Sequence, residues 1–200
     1  MLVTDDRLLL GRDLLAICRE AVAGGVTCVQ LRMKEATPRA LVEAARGLIE
    51  ALPVPVVIND RLDVALAAGA AGVHLGPDDL PVALAREIVP AGFWIGASVG
   101  TAGEADLGRA ADYWGIGPWR TTTTKADAGV PLGPAGFKEL CALGRGIPCV
   151  AIGGIRPLDV PAVLDAGGFG VAVVSGILAA ADPRRAAQVY RSAITAAGSP

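Results

Sequence analysis

The sequence contains one histidine, no C-x-x-C pair and no unbroken apolar run near the roughly 20 residues that cross a bilayer. Charge, glycine or proline interrupts every hydrophobic stretch, although the chain is 52% hydrophobic with a mean hydropathy of +0.50. That excess is expected to lie in a large core rather than in a membrane. The first residues, Met1 to Asp13, carry acids at Asp5 and Asp6 and no basic stretch ahead of an apolar one, unlike a secretory leader. A soluble, cytoplasmic protein is expected. Net charge is −2, the pI is near 5.4, and no basic run stands out. The sequence therefore shows no positive stripe for nucleic acid. Cys18, Cys28, Cys141 and Cys149 have apolar neighbours and too little histidine to complete zinc sites, so buried reduced thiols are expected. The lone histidine, His74, lies between Val73 and Leu75 and reads as a packing or hydrogen-bonding residue. No Ser–His–Asp set accompanies it, so ordinary acyl or acid–base chemistry has little support.

What the chain does have is a repeated rhythm of a short β-branched run, a polar or glycine turn, and an Ala/Leu/Arg-rich helical stretch. Eight strands are expected: Leu2 to Thr4, Cys28 to Leu31, Val56 to Asn59, Gly72 to Leu75, Trp94 to Ser98, Tyr113 to Gly117, Cys149 to Ile152 and Gly170 to Val174. Helical spacing appears between them, as in Leu14 to Ala23, Pro38 to Leu52, Pro81 to Ile88 and Leu158 to Ala166. Ala23-Gly24-Gly25, Ala68-Gly69 and Ala166-Gly167-Gly168 suit helix C-caps before tight αβ loops. Strict alternation predicts parallel strands with right-handed crossovers. Eight units in 200 residues favour one α/β domain, a (β/α)8 TIM barrel over residues 1–200 with a loose tail, over an open doubly wound sheet.

In such a barrel the chemistry sits at the C-terminal strand ends. There the sequence places Gln30-Leu31-Arg32-Met33-Lys34, Asn59-Asp60-Arg61, His74 to Asp79, Ser98, and Gly117 to Lys125. Asp60 and Asp79 follow adjacent strands and could face one hard cation; magnesium takes a few carboxylates with waters and phosphate oxygens. Each could equally be a loop or N-cap residue. Arg32, Lys34 and Lys125 would balance the charge of a diphosphate. Gly153-Gly154 and Ser175-Gly176, after strands seven and eight, match the usual phosphate pocket of barrels, or else simply make tight turns. Thr121 to Thr124 is either a polar loop or a lid near Lys125.

Taken in order, VQLRMK (Val29 to Lys34), INDR (Ile58 to Arg61), GVHLGPDDLP (Gly72 to Pro81), DYWGIGP (Asp112 to Pro118), TTTK (Thr122 to Lys125), AIGGI (Ala151 to Ile155) and VVS (Val173 to Ser175) resemble the thiamine phosphate synthase family over nearly the whole chain. The resemblance implies a transferase of thiamine biosynthesis that joins a pyrimidine methyl diphosphate to a thiazole phosphate and releases pyrophosphate. It implies that Gln30, Leu31, Arg32, Met33, Lys34, Asn59, Ser98 and Lys125 hold the pyrimidine diphosphate, with Arg32, Lys34, Ser98 and Lys125 as the catalytic set. Asp60 and Asp79 would hold Mg²⁺, and Thr122, Thr123, Thr124, Gly154, Val174 and Ser175 the thiazole phosphate. It further implies a dissociative path, in which the thiazole nitrogen captures a pyrimidine-stabilised carbocation and no protein nucleophile is needed. The expected partners are small-molecule substrates and, in a homodimer, a second copy; neither nucleic acid nor membrane is expected.

The sequence departs from the family pattern at Gly100, where histidine is frequent, at Pro77, where glutamine is frequent, and at Trp119-Arg120 before the threonine loop. Two alternatives remain. A related thiazole tautomerase would rely on the histidine that Gly100 replaces and would have lost the diphosphate and metal residues. A non-catalytic phosphate-binding barrel would have lost charged rim residues.

Overall fold

The computed structural model describes residues 1–9, 11–122 and 129–198. Eight parallel strands follow one another in chain order around a single sheet. They are β1 (Leu2–Val3), β2 (Val29–Leu31), β3 (Val56–Asn59), β4 (Gly72–Leu75), β5 (Trp94–Val99), β6 (Tyr113–Ile116), β7 (Cys149–Ala151) and β8 (Gly170–Val171). A parallel bridge between Leu2 and Val173 joins the last strand to the first. There the Val3 N–H donates to the Val173 carbonyl at 2.9 Å and the Val173 N–H to the Met1 carbonyl at 3.0 Å. The sheet thus closes without a free edge, and the architecture is the expected (β/α)8 barrel.

Ten helices are described: α1 (Asp6–Leu9), α2 (Leu14–Ala23), α3 (Pro38–Ala51), α4 (Leu62–Ala68), α5 (Val82–Ile88), α6 (Ala102–Leu107), α7 (Gly133–Leu143), α8 (Val160–Asp165), α9 (Ser175–Leu178) and α10 (Pro183–Ala196). Local chemistry sets several starts. The Thr37 hydroxyl accepts from the Ala40 N–H with Pro38 in the first turn of α3, and Thr101 and Glu104 form a reciprocal capping box on α6. The helix expected over Leu158 to Ala166 opens instead as a 3₁₀ turn, Pro157–Asp159, and becomes α-helical at Val160. Pro161 lacks an N–H and is tolerated only in the first turn, which forces that later start. The expected eighth strand is also shorter, because beyond Val171 the chain leaves its β7 ladder to reach β1.

Strand alternation sorts the side chains into two populations. Leu2, Val29, Leu31, Val56, Ile58, Val73, Leu75, Ile95, Trp114, Ile116 and Ala151 join one buried apolar cluster shared with the helices. Their neighbours Val3, Gln30, Asn59, His74, Ser98, Tyr113 and Val150 face a cavity of about 520 Å³ inside the barrel. All four cysteines are free; Cys18 and Cys149 are buried as expected, whereas Cys28 and Cys141 are only partly so. No helix among the described residues is long and apolar enough to cross a membrane.

Candidate active site

Among the described residues the buried polar side chains are Thr4, Asp5, Gln30, His74 and Asp159; the first four lie on a strand or directly after one, and Asp159 ends the 3₁₀ turn before α8. Two of them anchor Arg32. The Arg32 N–H donates to the Thr4 hydroxyl at 2.8 Å, and that hydroxyl donates to the Arg32 carbonyl at 3.0 Å. The guanidinium Nη1 stands 2.5 Å from Oδ2 of Asp5. Arg32 is thereby held against the cavity wall by its backbone and its side chain together.

Two residues on, Lys34 Nζ lies 2.5 Å from Oδ2 of Asp60. Asp60 directly follows β3 with a left-handed φ of 64°, a conformation that aspartate and asparagine tolerate better than other non-glycine residues, at about 1–2 kcal/mol. Its N–H donates to the His74 carbonyl at 2.8 Å, which ties the turn to β4. Across from it Asp79 accepts the Gly76 N–H at 2.7 Å. Burial raises the Asp79 pKa above the ordinary carboxylate range, against the lowering effect of the Gly76 N–H, and the adjoining Asp60 carboxyl adds to the rise. Two crowded carboxyls, offset in part by Lys34 and the Gly76 N–H, form a donor set suited to a hard divalent cation. No cluster of three or more His, Cys, Asp or Glu occurs among the described residues. The protein would thus supply two carboxylates and leave the remaining coordination to water and phosphate oxygens, the habit of magnesium.

The cavity gathers Gln30, Arg32, Lys34, Asn59, Asp60, Asp79, Ser98, Thr122 and Val174 from the residues that sequence singles out. Leu31 and Met33 alternate to the other face: Leu31 is fully buried in the apolar cluster and Met33 packs against it, so neither side chain lines the cavity. Gly154 and Ser175 are exposed, next in sequence to Gly153 and Val174, which line the cavity. Thr123, Thr124 and Lys125 lie outside the described residues. The glycine pair after β7 has a packing reason as well. Gly153 and Gly154 have φ of 94° and 67°, and a Cβ would come 2.7 Å from Pro118 Cβ at the first and 3.0 Å from Arg120 Cβ at the second.

The departures from the family pattern find structural places. Trp119 is buried edge-on against Phe137, with ring centroids 5.5 Å apart. Arg120 pairs through two nitrogens with Asp159, whose carboxylate also accepts the Arg156 N–H at 2.9 Å. The Arg120 hydrogen bond holds Asp159 below the usual carboxylate range in spite of its burial. Pro77 lines the cavity beside Asp79. At Gly100 the N–H donates to Glu104 at 2.5 Å, and a Cβ would meet the Gly117 carbonyl at 3.0 Å, so a larger side chain would crowd this position.

Sequence reasoning passed over Thr4, Asp5, Glu104, Tyr113 and Asp159. Thr4-Asp5 follows a strand directly, and the rule that strand ends carry the chemistry would have found it. Glu104 and Tyr113 line the cavity, but one reads as a helix cap and the other as an ordinary strand aromatic.

Residues 1–177 match the family described as Thiamine monophosphate synthase. The chain is 50% identical over 199 residues to the Thiamine-phosphate synthase of Azorhizobium caulinodans, covering 96% of this chain and 93% of that protein. It is also 50% identical over 202 residues to that of Xanthobacter autotrophicus, covering 98% and 95%. Among solved structures, the thiamine phosphate pyrophosphorylase from Pyrococcus furiosus superposes with a TM-score of 0.88 at 37% identity, over 98% of this chain and 96% of that one.

Proposed function

The chain belongs to the thiamine monophosphate synthase family, and on that premise we propose that its barrel joins a pyrimidine methyl diphosphate to a thiazole phosphate, giving thiamine phosphate and pyrophosphate. The observation that carries this reading is the convergence of Arg32, Lys34, Asn59, Asp60, Asp79 and Ser98 on one cavity. Cations and carboxylates at one mouth suit an anionic substrate and a metal better than an uncharged one.

The reaction asks little acid–base work of the protein. The thiazole nitrogen carries its own lone pair, and the bond that breaks joins a stabilised methylene to a leaving diphosphate. Charge stabilisation on that leaving group is the main requirement. Arg32, fixed by Thr4 and Asp5, presents its guanidinium to the cavity without needing to reorganise. Lys34 can turn from Asp60 to the diphosphate. Asp60 and Asp79 would hold Mg²⁺, which when bound neutralises part of the diphosphate charge. Ser98 and Asn59, on β5 and β3, orient the substrate from the cavity wall, and Thr122 and Val174 face the space left for the thiazole phosphate. In the same reading Lys125, Thr123 and Thr124 complete the anion contacts. The enzyme is read as a cytoplasmic catalyst of small molecules that can act as a homodimer.

Glycine at position 100 leaves the tautomerase alternative without the histidine it needs, while Asp60, Asp79 and Lys125, which that alternative would have lost, are present. Incubating the protein with both substrates and Mg²⁺ is expected to yield thiamine phosphate and pyrophosphate. Absence of product, with phosphate binding intact, would overturn the synthase reading in favour of the non-catalytic barrel.

A further inference from the structure

His74, Gly96 and Tyr113 lie on one level of the sheet, because His74 pairs with Gly96 and Gly96 with Tyr113. The glycine between them lets the two rings meet, with centroids 5.5 Å apart. A Cβ on Gly96 would run into the Tyr113 ring and its hydroxyl and come 2.5 Å from His74 Nδ1. One on Gly115 would come 3.0 Å from His74 Cε1. Two strand positions are therefore stripped of side chains to admit two polar rings at the barrel centre. Glycine weakens a strand and polar burial is unfavourable, so an apolar filling would give the more stable barrel.

The rings form a directed chain. The Tyr113 hydroxyl is 3.1 Å from His74 Nδ1, and His74 Nε2 is 3.0 Å from the Ser98 hydroxyl oxygen. The Gln30 amide also bonds to the Tyr113 hydroxyl, and its Nε2 lies 3.7 Å from the Met1 thioether, which can only accept. The Gln30 bond acts to lower the phenol pKa against burial, as a donated hydrogen bond does, so Gln30 donates to the phenol oxygen. Burial keeps the phenol protonated, and its one proton is then directed at His74 Nδ1. For a neutral His74 this makes Nδ1 the acceptor and leaves the ring proton on Nε2, directed at Ser98. The Ser98 proton is left to point into the cavity. Were the chain reversed, Ser98 would give its proton to His74 and turn only lone pairs toward an anionic ligand.

We infer that Gln30, Tyr113 and His74 are positioning residues that fix the Ser98 hydroxyl as a hydrogen-bond donor to an acceptor atom of the bound diphosphate substrate. The inference deepens the synthase reading and rests on it for the identity of that substrate.

The chain has a single histidine, so ¹⁵N imidazole resonances report His74 alone. In the wild-type protein near pH 7.5, with and without Mg²⁺ and inorganic pyrophosphate, a neutral ring protonated on Nε2 is expected. A ring protonated on Nδ1, or a charged ring, overturns the assignment whatever the enzyme's activity. In turnover assays, His74→Leu and Tyr113→Phe are each expected to lower kcat about tenfold. His74→Gln, whose amide can still donate to Ser98, is expected to recover most of that loss at the same melting temperature. A folded His74→Leu protein with wild-type kcat and KM overturns the proposal. Failure of the wild-type protein to make thiamine phosphate would instead overturn the synthase reading, and the tautomer result would stand apart from it.

Discussion

Asp5 holds Arg32 from beneath the cavity wall, with Oδ2 and Nη1 2.5 Å apart and the acid all but inaccessible to water at 1% exposure. A carboxylate this deep is tolerable only because it is paired. The same pairing is what makes Arg32 a fixed rather than a mobile cation.

Removing that carboxylate tests both roles. Asp5→Ala leaves a largely buried guanidinium without its partner, and breaking such a pair costs about 3 kcal/mol. A urea titration is expected to show that loss. Steady-state kinetics are expected to show a KM for the pyrimidine diphosphate raised at least tenfold, since Arg32 would then sample several orientations. An unchanged KM in the folded variant would show that Arg32 does not depend on Asp5.

The Asp60–Asp79 pair predicts a metal dependence with a defined pH sense. Asp60→Asn and Asp79→Asn are each expected to abolish Mg²⁺-dependent turnover while leaving the fold intact by circular dichroism. Asp79 has a raised pKa, chiefly from burial, so it takes up its proton at a higher pH than an ordinary carboxylate. Protons compete with the metal, and Mg²⁺ affinity measured by calorimetry should fall as pH drops through that raised value. Without metal the sign reverses for stability. The folded state binds the Asp79 proton more readily than the unfolded chain, so this residue's contribution becomes more favourable as pH falls through the same value.

Asp159 predicts the opposite acid behaviour. Its folded-state pKa lies below the ordinary value, first because of the Arg120 hydrogen bond. Its stabilising contribution is present above the unfolded-state pKa and is lost as pH falls from there through the folded value. Asp159→Asn should therefore destabilise the protein at neutral pH and flatten its acid-denaturation limb below about pH 4. Parallel acid titrations of the two proteins, followed by fluorescence, would make the comparison.

At the barrel centre, Gly96→Ala forces a methyl group into the Tyr113 ring, where a strand of the closed sheet has little freedom to move. Overpacking of this kind costs about 1–3 kcal/mol. Thermal unfolding should register it, and turnover should fall further than in a surface Gly→Ala control such as Gly47→Ala, where a Cβ meets nothing within 4 Å.

The strand–turn–helix rhythm was enough to number the strands, because period-2 and period-3.6 patterns are properties of local sequence. It also placed Arg32, Lys34, Asn59, Asp60, Asp79 and Ser98 at strand ends, and a closed parallel barrel brings strand ends together whatever the loops do. Local reading had less purchase on Leu31 and Met33. They sit inside the same motif as Arg32, but alternation sends their side chains to the helix layer, and a contiguous motif hides that division. Gly154 and Ser175 were legible as neighbours of the cavity-lining Gly153 and Val174, and both are exposed.

Composition and pattern thus determined by themselves that this chain is an eight-fold barrel with charged residues gathered at its strand ends, since both follow from short-range periodicity and a general rule of parallel strands. Only the tertiary structure decided which acid holds Arg32, what Arg120 is for, and why Gly96 and Gly115 are glycines. Those answers depend on contacts between residues 17 to 41 positions apart, Asp5 with Arg32, Arg120 with Asp159, Gly96 with Tyr113 and Gly115 with His74, and such contacts exist only once the barrel has closed.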